Sequence, residues 1–156
     1  MPEAPRVRHT IETMLAVHLK MAGRPGVESS FLVANWTGKI VLLVDDNPEI
    51  LETTSSYLQT RGLHIVTSSS ALGVTALVGK HRPDVIVLDV MMPALDGDAL
   101  ATLIRGRKNS TRATPIIFYS AMEEEQLHRL AADVPGTSYV AKSEGLHALY
   151  SAIIAL

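Results

Sequence analysis

Val85-Ile86-Val87-Leu88 is the stretch that most limits what this chain can become. Four residues are too few for a helix, and a run so rich in β-branched side chains reads as a strand covered on both faces. Pro83-Asp84 turns the chain into it, and Asp89 follows where the apolar run stops. In an open α/β sheet, ligands bind at the carboxyl edge of the strands. Asp89 is therefore an ionisable group held on a rigid strand and aimed at a loop. It is a candidate nucleophile or metal ligand, and the plainer alternative is an Asp that caps the turn. Pro93 and Asp96-Gly97 interrupt the chain again, and Asp96 or Gly97 can open the next helix.

The same pattern recurs from Lys39 onward. Ile40 to Val44 is a second buried strand, ending in Asp45-Asp46. Asn47 then serves as N-cap with Pro48 at the first helical position, predicting a helix to about Thr60 that buries Ile50, Leu51, Thr54 and Leu58 and stops at Arg61-Gly62. Leu63 to Thr67 is a strand with polar interruptions, suited to a sheet edge. Ser70 can cap a helix running to about Gly79, and Asp98 to Ile104 continues another. Gly106 to Thr114 is a polar loop. Pro115 to Tyr119 is a fourth strand, ending at Ser120. Glu123 to Ala132 is helical with Leu127 and Leu130 inward. Ser138 to Ala141 is the fifth strand, ending at Lys142, and Leu146 to Ile154 is a strongly apolar last helix. Five strands alternating with five helices predict an α/β fold, a doubly wound parallel sheet with helices on both faces. Right-handed crossovers leave few strand orders.

Residues 1–38 read differently. Pro2, Pro5, Gly23, Pro25 and Gly26 punctuate them, and only Thr10 to Met21 has helical periodicity, with Ile11, Met14, Leu15 and Leu19 on a modest apolar stripe. They are set apart as an N-terminal extension, one docked helix or a loose segment, before a domain at 39–156. At 156 residues and a net charge of −2, one domain is the natural count and the global field gives no reason to expect nucleic acid as a partner. The absence of Cys excludes disulfides, thiolate catalysis and Cys-ligated zinc. No run approaches the roughly 18 apolar residues of a membrane span. The first residues have no apolar core of a secretory signal, so the expectation is a cytoplasmic protein.

The strand ends carry the chemistry. Asp45-Asp46, Asp89, Ser120 and Lys142 each stand where a strand stops, and a parallel sheet puts all those ends on one edge. Three carboxylates gathered there repel one another, a conflict that a hard divalent cation removes; oxygen ligands with retained waters suit Mg2+. Lys142 offers a cation to an anionic substrate and Ser120 a hydroxyl. Nucleophile, metal and counter-charge together are what phosphoryl transfer onto a carboxylate needs.

On Val44-Asp45-Asp46-Asn47, Asp89 to Gly97, Ser120-Ala121 and Tyr139-Val140-Ala141-Lys142, the chain resembles the receiver domains of bacterial two-component response regulators over about residues 38–156. The resemblance implies a flavodoxin-like sheet of order 2-1-3-4-5, an order already known from a receiver. It implies that Asp89 accepts a phosphoryl group from a histidine kinase or phosphotransfer protein. Asp46, Asp89 and the backbone carbonyl of Met91 would bind Mg2+ directly, with Asp45 helping through water. Lys142 would contact the phosphoryl oxygens, Ser120 would move toward them, and Tyr139 would be the aromatic switch that turns inward. A downstream protein would then read the last two helices and the fifth strand. Part of the last helix is also available to a second copy of the chain.

Departures from the family pattern are few. Lys142-Ser143 stands where Lys-Pro is usual, and without proline a cis bond costs roughly 2.5–4 kcal/mol, so a trans bond is expected. Ser120 replaces the commoner Thr. Met91 and Met122 flank the pocket where polar side chains would orient water, which predicts a comparatively long-lived phosphoryl-aspartate. The alternatives are a metal-dependent phosphohydrolase using Asp89, disfavoured because Met91 supplies no general acid and no cap-sized insertion exists, and a non-phosphorylated scaffold, disfavoured by the intact site set. The chain ends at Leu156 with no effector segment, so a stand-alone receiver is expected. The six His read as surface residues, Glu123-Glu124-Glu125 as a solvated helix start, and Arg105, Arg107, Lys108 and Arg112 as loop solvation.

Overall fold

The computed structural model describes residues 35–93, 99–102 and 114–156. Along β1 (Ile40–Val44), Val41 and Leu43 pack into one apolar layer while Leu42 and Val44 pack into the other. The two-residue period repeats in β3 (Val85–Leu88), β4 (Ile116–Ser120) and β5 (Thr137–Ala141), as expected for strands buried on both faces. With β2 (His64–Ser68), whose residues are part-exposed, they form one parallel sheet of order β2-β1-β3-β4-β5. The doubly wound fold and the edge position of β2 are as the sequence predicts.

Helices α1 (Pro48–Gln59) and α4 (Gly145–Ile154) cover the layer that holds Val41 and Leu43, through Leu51, Leu58, Leu149 and Ile153. Helices α2 (Val74–His81) and α3 (Glu124–Asp133), with Leu100 and Ala101, cover the opposite layer through Val74, Val78, Leu127 and Ala131. Each fully buried Leu or Phe contributes about 1.5–3 kcal/mol, so these two layers dominate the stability.

Asn47 caps α1 as expected, its Oδ1 accepting from the N–H groups of Glu49 at 2.9 Å and Ile50 at 3.4 Å. Ile50 itself is only half-buried. The α2 expectation is corrected. Ser70 does not cap that helix, which starts after Gly73; the Ser70 hydroxyl accepts instead from Leu72 N–H at 3.1 Å, and Ser68 Oγ donates to Ser70 O at 2.7 Å, making a turn where a helical first turn was expected. Asp84 does more than turn the chain. Its carboxylate accepts from Ile40 N–H at 2.8 Å and from Lys39 Nζ at 3.2 Å, tying the entry of β1 to that of β3.

Trp36 packs on the α1–α4 layer, and Gly38 N–H donates to Gly62 O at 2.7 Å. Gly62 has φ +84°, and a Cβ there would stand 3.4 Å from Thr37 Cγ2 in a conformation costly for any other residue. The expected helix in residues 1–34, the helix start at Asp96-Gly97, and the basic loop bearing Arg105, Arg107, Lys108 and Arg112 lie outside the described residues, as do His9 and His18. Among the described residues no helix is long and apolar enough to cross a membrane.

Candidate functional site

Val44 of β1 lies opposite Leu88 of β3, so the next residue of each strand, Asp45 and Asp89, emerges at the carboxyl edge beside the other. Asp45 N–H donates to Ser68 O at 3.1 Å and Asp89 N–H to Val44 O at 2.9 Å, extending the ladder past both strands. Both carboxylates therefore start from fixed backbone, and both residues are buried, at 1% and 5% exposure.

Each carboxylate divides its oxygens in the same way. Asp45 Oδ1 accepts from Asn47 N–H at 2.9 Å, and Asp89 Oδ1 from Met91 N–H at 2.9 Å, turns that shape the two loops. The other oxygens meet Lys142, whose Nζ stands 2.5 Å from Asp45 Oδ2 and 3.0 Å from Asp89 Oδ2. Burial acts to lower the Lys142 pKa. The hydrogen bonds and charges of Asp45 and Asp89 outweigh it and hold the ammonium above its ordinary 10.5.

Lys142 arrives from the far side. β4 separates β5 from β3, so the ammonium reaches the aspartates across the end of β4. There it lies over the ring of Tyr119, 6.0 Å from the centroid. Burial lifts the Tyr119 phenol above its ordinary 10.0, with the Lys142 charge pulling the other way. The backbone behind Lys142 is held by a short 3-10 turn, Lys142–Glu144, in which Glu144 Oε2 accepts from Ala141 N–H at 3.1 Å. The Lys142–Ser143 bond is trans, as the missing proline leads one to expect.

Asp46 is exposed beside them, and Asp45, Asp46 and Asp89 can each offer one oxygen so that all three lie within 4.8 Å of one another. Three carboxylates and one ammonium leave two net negative charges. That charge, and a donor set with neither His nor Cys, fits a hard divalent ion such as Mg2+.

Ser120 is fully buried at the end of β4, its Oγ accepting from Met122 N–H at 3.4 Å. Tyr139 sits outside the acidic cluster, buried in the α3-facing layer, and meets the His128 ring edge-on at 5.8 Å and 67°. His128 is thus not a plain surface residue. It is half-buried, and its Nδ1 is buried without a hydrogen-bond partner. His64 and His147 are exposed as expected. The Met91 side chain is 56% exposed at the mouth of the pocket. Sequence reasoning brought Asp45, Asp46, Asp89 and Lys142 together correctly. It missed Tyr119, which looks like an ordinary strand residue until β4 is known to lie under the path of Lys142.

The family model of the response regulator receiver domain matches residues 41–154. The chain belongs to that family. The transcriptional regulatory protein KdpE of Mycobacterium tuberculosis is 31% identical over 107 residues, 69% of this chain and 46% of KdpE. Protein PilG of Pseudomonas aeruginosa is 29% identical over 86 residues, 55% of this chain and 63% of PilG. The receiver spans about half the length of the first of these curated relatives. Among solved structures, the chemotaxis response regulator CheY4 of Vibrio cholerae is similar with a TM-score of 0.68 at 27% identity, over 77% of this chain and 100% of CheY4. The receiver domain of the sensor histidine kinase PA1611 from Pseudomonas aeruginosa gives 0.64 at 26% identity over 75% of this chain and 95% of that one; its structure has a magnesium ion coordinated in the active site cleft.

Proposed function

We propose that this receiver, as the unit 39–156 and in the cytoplasm, takes a phosphoryl group onto Asp89 from a histidine kinase or phosphotransfer protein and so switches a protein-binding surface. The observation that carries the reading is the Lys142 ammonium bridging Asp45 and Asp89 beside Asp46, a nucleophile, an acidic cradle and a cation in one place. Asp46, Asp89 and the Met91 carbonyl would hold Mg2+, with Asp45 assisting through water. When bound, the ion supplies positive charge against which phosphoryl oxygens can approach a carboxylate.

An Asp89 carboxylate oxygen forms the new O–P bond as the donor's N–P bond breaks, and the leaving imidazole takes up a proton. Lys142 exchanges its contact with Asp89 for one with the phosphoryl oxygens, and Ser120 Oγ donates to another. The modification adds about −1.5 to −2 charge. If Ser120 and Lys142 bond it in one loop arrangement only, that arrangement is favoured by the difference in binding. Tyr139 then carries the change to α3, β5 and α4, the surface read by a downstream protein.

Incubation with acetyl phosphate and Mg2+, followed by intact mass, is the test. One added phosphoryl group, lost in Asp89→Asn and in the presence of EDTA, supports the receiver reading. Turnover of acetyl phosphate with no adduct would point to a phosphohydrolase, and no reaction to a scaffold.

A further inference from the structure

We propose that Tyr119 is a positioning residue for Lys142, its ring face holding the ammonium at the pocket while leaving that group's hydrogen-bonding capacity for the phosphoryl oxygens. The inference rests on the reading of the site given above. The strand order forces the juxtaposition. Lys142 starts beyond β5 and its partners lie on β3 and β1, so its stem crosses the end of β4, and Tyr119 is the penultimate residue there. The ammonium stands over the ring at 6.0 Å, at the outer limit of the range where the negative face of an aromatic ring attracts a cation. The Lys142 side chain is only 17% exposed, so water weakens the attraction little. The ring itself is fixed, 5% exposed and packed in the α1–α4 layer.

The ring does something a third carboxylate would not. An ammonium has three donors, and Asp45 and Asp89 take two of them. A carboxylate beneath Lys142 would take the third and add negative charge against an incoming phosphoryl group. An aliphatic side chain would leave the donor free but contribute no attraction. The aromatic face draws the charge without accepting a conventional hydrogen bond, so the third donor stays available and the ammonium stays in place when Asp89 Oδ2 is given up.

The test compares the wild type with Tyr119→Phe, which keeps the ring, and with Tyr119→Leu and Tyr119→Met, two aliphatic replacements that pack differently. The first readout is the NMR shift of the Lys142 ε-methylene protons. Ring current displaces them upfield in the wild type and in Tyr119→Phe, and the displacement is lost in both aliphatic variants. The second is the rate of phosphoryl uptake from acetyl phosphate with saturating Mg2+. Both aliphatic variants slow it about two- to five-fold, the size a cation–π contact supports, and Tyr119→Phe restores the wild-type rate. Unshifted Lys142 resonances in the wild type would overturn the proposal. So would a Tyr119→Phe protein as slow as Tyr119→Leu, because a ring-preserving change would then cost as much as losing the ring. Should the wild type take up no phosphoryl group, the reading of the site fails, and the NMR comparison still decides where the ammonium sits.

Discussion

Replacing Lys142 by Met tests the electrostatics of the site directly. The substitution keeps an unbranched stem of similar length and deletes the charge, leaving Asp45 and Asp89 buried side by side without the one cation that contacts them among the described residues. Each lost contact is a hydrogen bond between charged groups, worth about 1.5–3 kcal/mol, and removing one partner of a buried pair costs about 3–5 kcal/mol. The pocket is not sealed, since the Lys142 side chain is 17% exposed and Asp46 faces solvent. The lower part of the range therefore applies, about 2–3 kcal/mol after discounting for water. In a domain of this size that lowers the metal-free melting temperature by roughly 8–12 °C.

Magnesium distinguishes electrostatics from lost packing. A ligand at 100 times its Kd stabilises by about 2.7 kcal/mol, enough to return the variant close to the metal-free wild type. The gain should also be larger in the variant, because wild-type Lys142 occupies the oxygens Asp45 Oδ2 and Asp89 Oδ2. The assay is calorimetric melting of both proteins with EDTA and across a MgCl2 series. A variant that melts within a degree or two of the wild type in EDTA, or that gains no more from Mg2+, would refute the reasoning.

Other outcomes follow from the same contacts. Because the folded protein raises the pKa of both Lys142 and Tyr119, their stabilisation is complete below the ordinary values of 10.5 and 10.0 and is lost as pH rises through the folded ones. Equilibrium urea unfolding should show stability falling above about pH 10, and a flat profile there would contradict the contacts. Asp84→Ala strips Ile40 N–H of its 2.8 Å acceptor at the start of β1 and should cost about 1–3 kcal/mol in the same assay; an unchanged midpoint would remove Asp84 from the fold's supports. Met91 at the pocket mouth carries no group to orient water, so phosphorylated protein separated from its donor should decay over minutes or longer, and faster in Met91→Asn. A wild-type half-life of seconds by mass spectrometry would contradict this.

What could be read from the sequence was local. Short β-branched runs, the breakers around them and the Asn47-Pro48 cap are decided within a few residues, and those elements stand where expected. The Asp and Lys at the strand ends were legible because a parallel sheet sends all such ends to one edge. What escaped depended on partners distant in sequence or on competing local bonds. Ser70 has the composition of a cap, but its hydroxyl is engaged by Leu72 N–H in a turn, and the helix waits for Gly73. His128 has the neighbours of a surface helix, yet β5 places Tyr139 against its ring. Tyr119 is one residue of an apolar strand until the order of β4 and β5 is known.

That order decides more than Tyr119. Neighbouring strands lie about 4.8 Å apart, so two short side chains such as those of Asp come together at the sheet edge only from adjacent strands. Had the same five strands paired in sequence order, β2 would stand between β1 and β3, and the end bearing Ser68 would separate the two aspartates. Instead the chain leaves β2 at the edge and returns to place β3 against the other side of β1. That reversal of winding is the point where doubly wound sheets open a crevice for ligands, and here it pairs Val44 with Leu88 and so sets Asp45 beside Asp89. Lys142 lies two strand gaps from Asp89 and three from Asp45. Only a long unbranched side chain bridges that span, and it needs something beneath it on the way across. The acidic pair thus follows from the crossover, and the cation that spans it from the length of one lysine and the ring under its path.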